Sequence, residues 1–120
     1  MCLEKVIETF KPNDDIIMGY KVYIKETNGK YLDYMQEEFR KIGKHYKAKG
    51  AALLGYDDNK LYDCGFHVFK TKKNARDYLN SSFEDDLVIC KVHLWDIRAI
   101  GEQDNAIIYV GKNLRIVEEV

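Results

Sequence analysis

The feature that most restricts the fold is the alternation in the last third of the chain. Val88, Cys90, Val92 and Leu94 occupy every second position, with Lys91 and His93 between them. This is the period-two pattern of a strand with one buried face. Past Trp95 the apolar parity passes to Ile97 and Ala99, a change that one extra residue in a β-bulge near Trp95 or Asp96 would produce. Gly101–Asn105 reads as a loop. Ala106, Ile108 and Val110 alternate again, and Gly111-Lys112-Asn113 is expected to turn the chain into Leu114–Val117 as a hairpin.

An earlier hairpin is expected over 20–35. Tyr20, Val22 and Ile24 alternate with Lys21, Tyr23 and Lys25. Asn28-Gly29 then precedes Tyr31, Leu32 and Tyr34, and Asn-Gly favours a two-residue turn with positive φ at both positions. Short strands are expected at His45–Ala48 and Phe66–Phe69, with an exposed turn over Gly55–Lys60. Thr71 can cap a helix that runs to Asn80 and buries Ala75, Tyr78 and Leu79. At the start, Leu3, Val6, Ile7 and Phe10 fall at i, i+3, i+4 and i+7, so the spacing predicts an N-terminal helical appendage over 1–12, ended by Pro12. The expectation is one α+β domain over 1–120. Its body, 18–120, is a mainly antiparallel sheet or small open barrel carrying one central helix.

Composition narrows the function classes. A chain of 120 residues that is 46% hydrophobic and 32% charged can bury a core of its own. The net charge of −1 argues against bulk nucleic-acid binding and leaves room for a local patch. No apolar run approaches the ~18 residues of a membrane span, so no membrane association is expected. Three cysteines with no apolar leader in MCLEKVIETF read as thiols, and the expected location is the cytoplasm. No P-loop, dinucleotide fingerprint, zinc-protease helix or nucleophile elbow occurs, and no catalytic residue and no cofactor is assigned.

Three patterns could carry chemistry. Cys-x-x-His occurs twice, as Cys64 to His67 and as Cys90 to His93. Two thiolates and two imidazoles suit zinc, but positions i and i+3 of a strand diverge, and Cys90 shares the apolar side of its run. A Cys64–His67 nucleophilic pair is a second option, and a small residue at a strand entrance is the plain alternative. The third pattern is electrostatic. Lys70, Lys72 and Lys73 crowd the start of the Thr71 helix, where the helix dipole disfavours cations. An anion held by those lysines, Thr71, free N–H groups and nearby His67 would account for them. Arg40, Lys41, Lys44, Lys47 and Lys49 form a second basic stretch interleaved with Phe39, Tyr46 and Tyr56. Cations beside aromatic rings suit a nucleotide, and a solvated basic face is the alternative. Trp95 is a further candidate for a binding surface.

The order Gly19-Tyr20-Lys21-Val22, Gly43-Lys44-His45-Tyr46 and Cys64-Gly65-Phe66-His67-Val68-Phe69, with the closing segments from Val92 to Val117, resembles small phage and prophage proteins. Their mark is a Gly-Phe-His element followed by a helix and a terminal β segment. The resemblance covers 18–120 and implies an accessory protein acting in a host cytoplasm. Such proteins act by binding a host protein or a nucleotide signal used in host defence. The leading expectation is therefore a binding protein that sequesters an anionic, nucleotide-type ligand through Arg40, Lys44, Tyr46, His67, Lys70, Thr71, Lys72, Lys73 and Trp95. Two alternatives stand beside it. One is direct inhibition of a host protein. The other is a small nucleotide-processing enzyme using His67, on a fold that resembles ADP-ribosyltransferase-like domains. The amphipathic first segment and open strand edges are routes to a homo-oligomer.

Overall fold

The computed structural model describes residues 3–33, 38–50, 52–55, 58–82, 84 and 86–120. Met1, Cys2, Tyr34, Tyr56, Asp57 and Asp85, which the sequence readings touch, lie outside this set. The elements are β1 (Lys5–Thr9), β2 (Ile16–Lys25), β3 (Tyr31–Asp33), β4 (Phe39–Arg40), β5 (His45–Lys47), β6 (Leu53–Leu54), β7 (Leu61–Tyr62), β8 (Phe66–Phe69), α1 (Lys72–Asn80), β9 (Leu87–Gln103) and β10 (Ala106–Glu119). The main sheet runs β1-β9-β10-β8-β2-β3-β4, with β5 also on β10 and β2 also on β9. All its named strand pairs are antiparallel. The sheet curls until β8 meets β2 at the single pair Tyr20–Phe69, but the barrel is not closed.

β9 and β10 are the spine. The parity change in β9 is a bulge: Val110 faces Ala99 while Gly111 faces Ile97, leaving Arg98 as the extra residue. Asp96 just before it has φ +55°. Arg98 holds the distortion, donating to Asp96 from Nε at 2.9 Å and from a second guanidinium nitrogen at 3.1 Å, and also to Asp63. Asn13 adds a bond from its side-chain amide to the Ile97 carbonyl at 2.7 Å.

Three expectations are corrected. The N-terminal helix is instead β1, antiparallel to β9. β2 pairs with β9 only as far as Trp95, so the remainder of β9 has an open edge that takes a strand. Leu3, just before β1, and Val6 within it are both buried, while Ile7, at the register shift between Val6 and Glu8, is 57% exposed, and that uneven spacing mimics a helical stripe. Leu3 lies over Gly101, where an added Cβ would sit 2.6 Å from a Leu3 methyl and 2.3 Å from the Lys5 carbonyl oxygen. Second, β10 does not turn at Gly111–Asn113. The reversal falls at Asp104-Asn105, both at positive φ (50° and 64°), the requirement of a two-residue hairpin turn. Third, the loop after β2 has three residues: the Glu26 N–H donates to the Lys30 carbonyl at 2.9 Å, and only Gly29, at φ +78°, is left-handed.

The other elements follow their local signals. Thr71 caps α1 by accepting from the Asn74 N–H at 3.2 Å. Ala75, with Tyr78 and Leu79 beside it, packs on Val22, Ile89, Phe69 and Ile108, a cluster that runs on to Leu3 and Val6. A second cluster holds Tyr23, Tyr31, Phe66, Val68, Cys90, Val92, Leu94, Leu114 and Ile116. The radius of gyration, 13.4 Å, matches the roughly 13.6 Å of a compact body this long. Among the described residues, no helix is long and apolar enough to cross a membrane.

Candidate anion site

The basic stretch is a strap between two sheet edges. β4 pairs Arg40 with Tyr31 and Phe39 with Leu32, which turns Arg40 inward and leaves Phe39 exposed. The chain then crosses to the far edge. The Gly43 N–H donates to the Ile116 carbonyl at 2.9 Å, and β5 sets Tyr46 opposite Leu114. Alternation points Tyr46 into the second cluster and His45 and Lys47 outward.

Tyr46 and Arg40 meet beneath the strap. The guanidinium carbon of Arg40 is 4.6 Å from the centre of the Tyr46 ring and 5.4 Å from that of Phe66. Lys44 Nζ lies 5.6 Å from the Tyr46 ring centre, and the Tyr46 hydroxyl accepts from the Lys41 N–H at 2.7 Å. Arg40 donates to Glu38 at 2.8 Å; its own side chain is 6% exposed and that of Glu38 is 64% exposed. Beside Arg40 opens a cavity of about 370 Å³ lined by Glu38, Arg40, Lys47, Ala48, Lys49 and Phe66. Among the described lining residues three cations thus face one carboxylate, over a wall that includes an aromatic ring. Such a cavity can hold an anion with a planar group attached.

Further buried polar groups share the second cluster's side of β2. Lys21 Nζ donates to the His67 carbonyl at 3.1 Å and lies 3.8 Å from Asp33 Oδ2. Tyr23 is held protonated, its pKa raised by burial and then by the Asp33 charge, with Arg40 pulling the other way. The sequence analysis singled out neither Lys21 nor Glu38 as a site residue and took Phe66 only as part of the Gly-Phe-His element. The observed register sets Asp33 opposite Tyr23, on the same face as Lys21, whereas a two-residue turn at Asn28-Gly29 would have paired Asp33 with Ile24.

The expected site residues separate into two groups. Arg40, Lys44 and Tyr46 come together. Trp95 sits across β10 from β5, its ring centre 4.8 Å from that of His45. Lys70, Thr71, Lys72 and Lys73 are exposed at the other end of β8. Phe66 belongs to the cluster under the strap and Phe69 to the cluster under α1, so the helix start and the strap occupy opposite ends and opposite faces of β8. They do not form one site, which corrects the expectation that they would. The Thr71 hydroxyl is used as the helix cap.

His67 is not at the helix start either. It is buried, its Nδ1–H directed at the Gly65 carbonyl at 3.1 Å and its Nε2 3.1 Å from the Tyr62 hydroxyl. That hydroxyl in turn accepts from the Leu3 N–H at 3.0 Å. Burial, and then the Lys21 charge, push its pKa down to about 3, so the ring is neutral and acts as a structural link from β8 to the β1 segment.

The Cys-x-x-His residues are dispersed. Cys64 donates its thiol to the Lys49 carbonyl. Cys90 is a core thiol whose pKa burial, and then the Glu119 charge, push up to about 12. His93 accepts from Arg115 at 3.4 Å. Among the described residues no group of His, Cys, Asp and Glu has the arrangement of a metal centre.

Comparison of the chain with protein-family models, curated proteins and solved structures gave no match to any of them.

Proposed function

We propose that the protein is a binding protein that holds an anionic, nucleotide-type small molecule in the cavity beneath the 40–49 strap. The observation that carries this reading is the position of Arg40. A guanidinium stacked between Tyr46 and Phe66 is costly to bury and is pre-organised for a phosphate. Glu38, with which it forms an ion pair, is on an exposed side chain that an incoming anion can displace. Lys47 and Lys49 supply further charge.

The mechanism is sequestration: stoichiometric protein lowers the free concentration of the ligand. In the phage setting that the resemblance implies, the ligand is a signal of host defence and the protein acts in the host cytoplasm. The burial of His67 between Tyr62 and Gly65 weighs against the enzyme reading, because a ring so held cannot relay a proton to a substrate.

Titration calorimetry with inorganic phosphate, a nucleoside monophosphate, a diphosphate and a cyclic dinucleotide tests this. At least one nucleotide should bind more tightly than phosphate, and Arg40→Met should weaken it by roughly 10- to 100-fold. Equal affinity in the wild type and Arg40→Met would defeat the reading.

A further inference from the structure

The outer face of the sheet is covered at one end and open at the other. Four strands lie in register there. One row across β2, β9, β10 and β5 is Ile16, Trp95, Asn113 and Lys47, and the next but one is Met18, His93, Arg115 and His45. The row between, Ile17, Leu94, Leu114 and Tyr46, points into the second cluster. Continuing along the same face, Val22 and Ile89 pack under α1. The helix therefore roofs the 20–24/87–91 end, and among the described residues none covers the 16–18/93–95 end.

The uncovered residues have a distinct chemistry. Ile16 and Met18 are 67% and 46% exposed. Trp95 is half-buried with the His45 ring tilted beside it at 40°, and His45 is tied to Asn113 by a 2.8 Å bond from Nε2 to Oδ1. Arg115 and Lys47 are exposed cations, two of the eight positions are histidines, and none is a carboxylate. In the next row Lys91 faces Tyr20 on one side and Glu118 on the other, so the positive charge of the patch is that of Arg115 and Lys47.

We propose that this open end binds single-stranded nucleic acid, with bases on Trp95 and His45 and phosphates on Arg115 and Lys47. Charge and size select the occupant. The patch is complementary to a polyanion although the whole chain is not, because recognition reads the local field. Its width is three strand spacings, about 15 Å, and its two rows cover about 7 Å along the strands. That is far below the roughly 800 Å² per partner of a stable protein interface, but it matches the two or three bases that an open four-stranded sheet face stacks. The surface shares Lys47 with the strap cavity, but Trp95, His45 and Arg115 do not line that cavity, so this inference does not rest on the small-molecule reading.

Trp95 is the only tryptophan in the chain and reports directly on its own face. Titration with octauridylate and octathymidylate at low salt should quench its emission. The logarithmic salt dependence should have a slope of about −1 to −2, the release expected for two neutralised phosphates. With a labelled octamer read by anisotropy, Trp95→Ala and Arg115→Ala should each weaken binding roughly tenfold, while Trp95→Phe retains most of it. Circular dichroism confirms that each variant is folded. No quenching and no anisotropy change at 100-fold excess over protein, about the reach of such an assay, would overturn the proposal. So would equal binding of an oligoglutamate, which would point to an acidic protein segment, or a protein mass that doubles with concentration in the absence of oligonucleotide, which would point to a second copy. Retained mononucleotide binding by calorimetry alongside absent octamer binding would remove this inference and leave the cavity reading intact.

Discussion

The Arg40 guanidinium sits 4.6 Å from the ring of Tyr46, so a residue of the two-residue strand β4 and one of β5, drawn from two different sheet edges, close on each other under the strap. Tyr46→Leu removes the ring that faces both Arg40 and Lys44 and the hydroxyl that receives the Lys41 N–H. Urea unfolding should show a loss of about 1–2 kcal/mol. Tyr46→Phe keeps the ring and should lose less than half as much.

Glu38 competes for Arg40 with any anion that enters the cavity. Its side chain is mostly in water, and exposed ion pairs contribute little to stability. Glu38→Gln should therefore leave the urea midpoint nearly unchanged and raise phosphate or nucleotide affinity by up to about fivefold. A fall in affinity would mean that Glu38 is itself a ligand-binding group.

His67 makes stability depend on pH on the acid side. Its folded pKa is about 3 against an ordinary 6.5, so below 6.5 the unfolded chain takes up a proton that the folded chain refuses. The stability from this group is complete above pH 6.5 and falls as the pH drops toward 3, by at most about 1.4 kcal/mol per unit. Denaturant unfolding between pH 7 and pH 5, where most carboxylates stay ionised, should show this slope. His67→Gln should be less stable at pH 7 but flatter across the window.

Gly101 tests the docking of β1. Gly101→Ala drives a methyl into the Lys5 carbonyl and Leu3, at a cost of about 1–3 kcal/mol. Hydrogen exchange at Val6 and Thr9 should accelerate more than exchange at Val22 or Val92. Uniform acceleration would show that β1 unfolds only together with the whole sheet.

Much of the architecture was legible where local chemistry and tertiary packing agree. Phe66–Phe69, the Thr71-capped helix, the short strand at His45 and the parity flip in β9 all follow from turn residues, caps and alternation. Reading failed where a distant partner decided the outcome. β1 owes its strand to the open edge of β9, and burial of Leu3 just before the strand together with Val6 inside it gives the three-residue spacing of a helix. Gly111 lies inside β10, beside Leu94, so its small size serves close packing and not a turn. The candidate site was half legible. Arg40, Lys44 and Tyr46 are near in sequence and near in space. Glu38 is two residues from Arg40 and pairs with it locally, Phe66 joins them only through the curl of the sheet, and the same curl keeps Lys70–Lys73 away.

The most direct measurement is native mass spectrometry of the protein purified from cells and, separately, after incubation with the nucleotide panel. The account predicts an adduct of nucleotide mass that is lost on denaturation and is much reduced in Arg40→Met. A bare chain under both conditions, or an adduct that persists unchanged in Arg40→Met, would contradict it.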